Sequence, residues 1–197
     1  YLMCKSLGYD VPISLETGFG QMEQHPLTPG VLEIVGAYED LRMNRRVDEQ
    51  TRLRLQEKDR DFALIVDGKQ RHFVPVTPLA TIAGGHDLRG AIGALGGGSV
   101  ATLWHYVREA DLALPLSPQQ LRVVDVAGQP VPVQALNGQL RLHVGNRRLA
   151  LISTLPAAQL QTALETAEAI HRPVQCLWIQ AESGKLVGQM TLGSKAG

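Results

Sequence analysis

Apolar positions recur along this chain first with a helical period and then, from about Asp61, with a period of two. Residues 1 to 8 read as the end of a helix stopped by Gly8, and Val11 to Leu15 as a short buried strand between Asp10 and a Thr17-Gly18 turn. Val31, Ile34, Val35, Tyr38 and Leu41 fall on one face of a predicted helix, with Thr28 as N-cap and Pro29 at its first position. A charged, mostly solvated helix is predicted from Asp48 to about Lys58.

Beyond Asp61 the helical period disappears. Phe62, Leu64 and Val66 alternate with other residues, Asp67-Gly68 supplies a favoured hairpin turn, and His72 to Val76 returns. Strands are predicted at 99–106, 111–116, 121–126, 131–134, 139–144 and 148–153, punctuated by Gly, Pro and Asn-Gly turns. Short strands at this spacing predict a β-sandwich, because each strand buries one face and needs a second layer to cover it. Val124, Val126, Val131, Val133, Leu140, Leu142, Leu149 and Leu151 are the expected inward positions. Leu160, Leu164, Ala167 and Ile170 then mark an amphipathic helix over 156–171, with Thr154 as its cap. The run Gly96 to Gly98 reads as a loop.

Composition narrows the partners more than the fold. The 197 residues are 44% hydrophobic, ordinary for a globular core, and 19 Lys plus Arg balance 19 Asp plus Glu. That balance leaves no electrostatic footprint for nucleic acid. No apolar run of about 18 residues is present, so no membrane-spanning helix is expected. Cys4 and Cys176 lack a neighbouring Cys at ligand spacing, and the six histidines show no HxxxH or HxH pattern, so neither a zinc site nor a His-based metal site is expected. GALGGG is not a dinucleotide fingerprint, and Ser99 after three glycines is not a nucleophile elbow; no cofactor is expected. The chain opens YLMCKSLG inside a helix and stops at GSKAG, which reads as a piece of a longer protein.

Glu16 is the carboxylate that the sequence singles out, since it closes an apolar stretch just before a Thr-Gly-Phe-Gly turn. It is either a reactive acid or a strand-ending residue that caps a turn. The stretch GYDVPISLETGFG, Gly8 to Gly20, resembles the segment around the nucleophile strand of (β/α)8-barrel glycoside hydrolases. The resemblance implies that Glu16 attacks an anomeric carbon while a second carboxylate about 5 Å away donates the proton. It also places Phe19 against the substrate. The family continues with a helix, an eighth strand and a closing helix, whereas here two helices lead straight into the hairpin at 62–76; either the barrel is irregular at its end, or residues 62–66 stand in for its last strand.

Asp111 to Ser153 is similar to the small β-sandwich that follows the barrel in many glycoside hydrolases, on the strength of the segment Val123 to Pro132 and the hairpin strands after it. The tail IQAESGKLVGQMTLGSKAG is similar to the opening of carbohydrate-binding β-sandwich modules, where an early Glu, here Glu182, contributes to a structural calcium site. Trp104, His105 and Tyr106 read as core filling in preference to sugar stacking. The expected fold is a mixed α/β fragment: the end of a (β/α)8-type barrel over 1–60, an antiparallel accessory β-sandwich over 61–155, a helix and linker over 156–173, and the truncated start of a carbohydrate-binding module over 174–197. Two functions follow. One is the C-terminal portion of an enzyme hydrolysing O-glycosidic bonds by a two-carboxylate retaining mechanism, inactive alone, with carbohydrate as partner; the resemblance implies a secreted or periplasmic location. The alternative is a non-catalytic carbohydrate-binding or cell-surface scaffold protein.

Overall fold

The computed structural model describes residues 1–106 and 109–171, together with the backbone of two later strands, Gln175–Ile179 and Leu186–Thr191. Four helices come first: α1 (Leu2–Tyr9), α2 (Phe19–Gln24), α3 (Thr28–Met43) and α4 (Glu49–Leu55). α1 ends where Asp10 adopts a left-handed conformation, φ 56°. α4 starts at Asp48, whose carboxylate accepts from the Thr51 N–H at 2.9 Å. That bond and a second one from the Thr51 hydroxyl, at 2.7 Å, hold the Asp48 carboxyl below its usual range.

Val11 to Leu15 is not a strand. It runs without regular structure, with Val11 49% and Leu15 44% exposed. A strand needs a ladder partner, and Pro12 has no N–H to give one. The segment is instead held to the end of α1, where the Val11 N–H donates to the Ser6 carbonyl at 3.0 Å. Every ladder among the described residues is antiparallel, so nothing in 1–60 forms a parallel barrel strand, and residues 62–66 do not supply one either.

The strands are β1 (Asp61–Asp67), β2 (Gln70–Pro78), β3 (Leu88–Leu95), β4 (Gly98–His105), β5 (Ala110–Leu114), β6 (Leu121–Val124), β7 (Gln134–Leu136), β8 (Gln139–Val144) and β9 (Leu149–Ser153). Helix α5 (Ala157–Glu165) and β10 (Glu168–His171) follow, then the later strands β11 (Gln175–Ile179) and β12 (Leu186–Thr191), which pair with each other. One six-stranded sheet has the order β1-β2-β3-β4-β9-β6, and a four-stranded sheet the order β10-β5-β8-β7. Between them lies the main core: Leu88, Ala101, Leu103, Val123 and Leu151 from the first sheet meet Leu112, Leu114, Leu140 and Leu142 from the second, and α5 adds Leu160 and Leu164. This is the two-layer packing that the period of two predicts. Of the expected inward positions, Leu140, Leu142, Leu149 and Leu151 line this core and Val131 and Val133 pack partly against it. Val124 faces the other way.

The reason is that the six-stranded sheet curls. Ala63 and Ile65 of β1 and Val74 of β2 fold over onto Val100, Val124 and Ala150, making a second core on the concave side. The opposite face of β1, Phe62 and Leu64, packs on Cys4, Leu7, Tyr38, Leu41 and Leu55 of the helices. β1 is therefore buried on both faces.

Being the edge strand, β1 also presents unpaired backbone groups, which cannot be left buried and unsatisfied. Four side chains cover them, the first being Asp61, whose Oδ1 accepts from the Phe62 N–H at 2.8 Å. The Leu64 N–H donates to the Tyr38 hydroxyl at 3.0 Å, the Cys4 thiol donates to the Phe62 carbonyl at 3.0 Å, and Arg148 Nη2 donates to the Leu64 carbonyl at 2.8 Å. Burial pushes the Tyr38 phenol and the Cys4 thiol up, so both stay neutral and able to donate. Tyr38→Phe leaves the Leu64 N–H buried without an acceptor and is expected to cost about 1–3 kcal/mol of unfolding free energy. A urea midpoint equal to that of the wild type would show that water reaches this edge.

Asp67 and Arg122 tie β1 to β6 by a two-pronged ion pair, with Nη2 to Oδ2 at 2.6 Å. Arg122 holds the Asp67 carboxyl below its usual range. A carboxylate lowered on folding stabilises the fold above its unfolded pKa and loses that contribution as pH falls through the folded value. The pair is half exposed, so its worth is under about 1 kcal/mol. Asp67→Asn should therefore lower stability slightly at pH 7, and the difference from wild type should shrink as the pH drops below about 4; denaturant titrations at both pH values read it directly.

Several elements differ from their expected bounds, two of them markedly. The helix predicted over 156–171 stops at Glu165 with Pro156 at its N-cap, and its last part is β10, which pairs with β5. The strand predicted at 131–134 lies at Gln134–Leu136, opening onto the Asn137-Gly138 turn, where both residues have positive φ.

Candidate functional site

Glu16 sits in the irregular segment between α1 and α2, exposed to solvent. It lines a groove of about 260 Å³ formed with Thr17, Gln21, His25 and the apolar side chains of Met22, Val31 and Leu32. Local polar contacts set the groove's shape. Gln21 Oε1 accepts from the Thr17 hydroxyl and the Gly18 N–H, each at 3.3 Å, which fixes the start of α2. His25 Nδ1 accepts from the Leu27 N–H at 3.2 Å. Phe19 opens α2 and is 87% exposed; it stands outside the residues that line the groove. Among the described residues no second carboxylate lines the groove.

A separate cavity of about 290 Å³ lies under β1, lined mainly by apolar groups with Cys4, Tyr38, Trp104 and Arg148. Its polar groups include those that cover the β1 edge, and among the described residues Arg148 Nε finds no hydrogen-bond partner. Trp104, expected to fill core, is half-buried on the wall of this cavity, and Tyr106 is 53% exposed with the Arg89 guanidinium 5.8 Å from its ring centre.

One cluster has no signature in the sequence. His105 at the end of β4, His171 at the end of β10 and Asp87 just before β3 converge, with the three donor atoms within 4.8 Å of one another. The two histidines are 66 residues apart in sequence and Asp87 lies on a third element, so spacing rules for metal ligands do not reach them. What could have pointed to His105 is its place in an apolar strand, where an imidazole needs a buried partner. Glu182 lies outside the described residues.

The architecture defines a mixed α/β chain whose strands, as far as described, pair antiparallel in a curled sheet and a second layer. No family model matches the chain, and no curated protein matches it. Among solved structures it is similar to a family 39 glycoside hydrolase from the gut symbiont Bacteroides cellulosilyticus WH2, with a TM-score of 0.31 and 16% identity over 52% of this chain and 19% of that one. The chain thus spans about a fifth of the length of that enzyme. A likeness this distant assigns neither fold nor activity. Among the described residues no helix is long and apolar enough to cross a membrane.

Proposed function

We propose that this chain is the C-terminal portion of a carbohydrate-active enzyme that hydrolyses O-glycosidic bonds by a retaining, two-carboxylate mechanism, with Glu16 as nucleophile. The observation that carries the reading is the setting of Glu16: an accessible carboxylate lining an open groove with hydrogen-bonding side chains, three residues in sequence before an exposed aromatic ring. Sugars are bound by that combination, since hydroxyls take hydrogen bonds and the pyranose face stacks on an aromatic ring. In this reading Phe19 stacks on the substrate, and the antiparallel region over 61–155 supports the catalytic part without doing chemistry. Residues 174–197 open a carbohydrate-binding module, and the protein is secreted or periplasmic.

Protonation of the leaving oxygen needs a second carboxyl group, and the groove has none among the described residues. The chain alone should therefore turn over no aryl glycoside. The same observation favours the second reading, a non-catalytic carbohydrate-binding or scaffold protein in which Glu16 is a solvated acid. Glu16→Gln in the longer protein separates the two: loss of cleavage with folding unchanged supports the nucleophile, and wild-type turnover removes it.

A further inference from the structure

We propose that His105, His171 and Asp87 bind a divalent transition-metal ion that clips the two sheets together. His105 Nε2 and His171 Nδ1 lie 3.1 Å apart. Two nitrogens at that separation, each about 2.0–2.1 Å from a zinc ion, subtend roughly 100° at the metal, between the octahedral and tetrahedral angles. The ring planes meet at 78°, so the two ring edges do not overlap where the ion would sit.

Asp87 supplies the third donor. Its Oδ2 is 3.9 Å from His171 Nδ1, and its side chain is 59% exposed, so a rotation that moves the oxygen inward by about an ångström completes a three-ligand set. Imidazole nitrogens select zinc, cobalt or nickel over calcium and magnesium. Three protein ligands leave a position for water.

The backbone prepares this arrangement. His105 pairs with Leu88 across the β3–β4 ladder, its N–H donates to the Gly145 carbonyl at 2.7 Å, and the Tyr106 N–H donates to the Asp87 carbonyl at 2.8 Å. His105 is thereby held, 1% exposed, where the six-stranded sheet meets the end of β8. His171 closes the four-stranded sheet as the last residue of its edge strand β10, opposite Ala110. An ion on all three residues joins β10 to the β3–β4 hairpin, a link that the ladders themselves do not make.

The experiment is a titration of the tag-free, chelator-treated chain with Zn²⁺ by calorimetry and with Co²⁺ by visible absorption. The expected result is one ion per chain, visible Co²⁺ ligand-field bands, and a rise in Tm of several degrees with Zn²⁺ in excess. Because His105 is buried and its replacement can unfold the chain, the variants are His171→Ala and Asp87→Ala, at exposed positions. His171→Ala should weaken binding at least tenfold and abolish the Tm shift, and Asp87→Ala should weaken it about tenfold. His143→Ala is the control, since His143 also lies beside carboxylates, those of Asp111 and Glu109, and it should leave binding unchanged. No saturable uptake of either ion up to about 100 μM, binding unaltered in both His171→Ala and Asp87→Ala, or binding lost in His143→Ala would overturn the proposal, leaving His105 and His171 as a plain hydrogen-bonded pair.

Discussion

Gly93→Ala is expected to cost about 3 kcal/mol or more and to lower the yield of folded protein sharply. A Cβ at this position would lie 2.1 Å from the Pro75 carbonyl oxygen and 2.9 Å from Val74 Cγ1. The first contact is with backbone, so no side-chain rotation relieves it. Nor can β2 easily move away. It joins β3 through a short register, Thr77 with Ile92 and Pro78 with Ala91, and Val74 is part of the core inside the curl. The glycine is thus the residue that lets the β1–β2 hairpin turn over the rest of the sheet. Gly97→Ala provides the comparison, because its Cβ meets nothing within 4 Å; it should stay within about 0.5 kcal/mol of wild type. Equal denaturation midpoints for the two variants would mean that β2 and β3 do not approach so closely.

Glu16→Gln in the longer protein is expected to reduce glycoside cleavage about a thousandfold or more, while Tm stays within a degree or two. An amide has nearly the shape of a carboxylate but cannot attack carbon as an anion. A thousandfold is roughly 4 kcal/mol of transition-state stabilisation, which an exposed surface acid could not contribute by packing. Stability should not follow, because Glu16 is solvent-exposed and the anchors on either side, Val11 to Ser6 and Gln21 to Thr17 and Gly18, do not involve it. Parallel measurement of kcat and thermal unfolding tells loss of chemistry from loss of fold. Full turnover would leave Glu16 as an ordinary solvated acid.

The elements that could be read from pattern are those in which local sequence and burial agree. α3 and the hairpin β1–β2 lie close to their expected places because apolar period, Pro29 and the Asp67-Gly68 turn all point the same way. β3 could not be read: LRGAIGAL carries glycines where a strand ordinarily has branched residues, and those at 90 and 93 are there because neighbouring backbone comes too near for a Cβ. Ile170 misled for the opposite reason. It continues a helical period past Glu165, but β5 offers an open edge, and the backbone of 168–171 pairs there instead. The irregular path of Val11 to Leu15 follows the same logic, since an apolar run becomes a strand only when another strand lies beside it.

Of the candidate sites, Glu16 and Phe19 were visible as residues near one another in sequence, though their exposure and the groove beside Glu16 were not. The cluster of Asp87, His105 and His171 was invisible, because three ladders must form before those side chains meet. What the amino-acid sequence determined by itself is what depends on neighbours a few residues away: the switch from helix to strand near Asp61, most of the turns, and the apolar positions that must be covered. Tertiary structure alone decided which face each strand covers, as when Val124 turns to the concave core while Val123 joins the main one. It also decided how the edge of β1 is satisfied and which polar groups meet. Those outcomes depend on the curl of one sheet over itself, and a backbone hydrogen bond or a close approach between distant segments leaves no periodic trace in either.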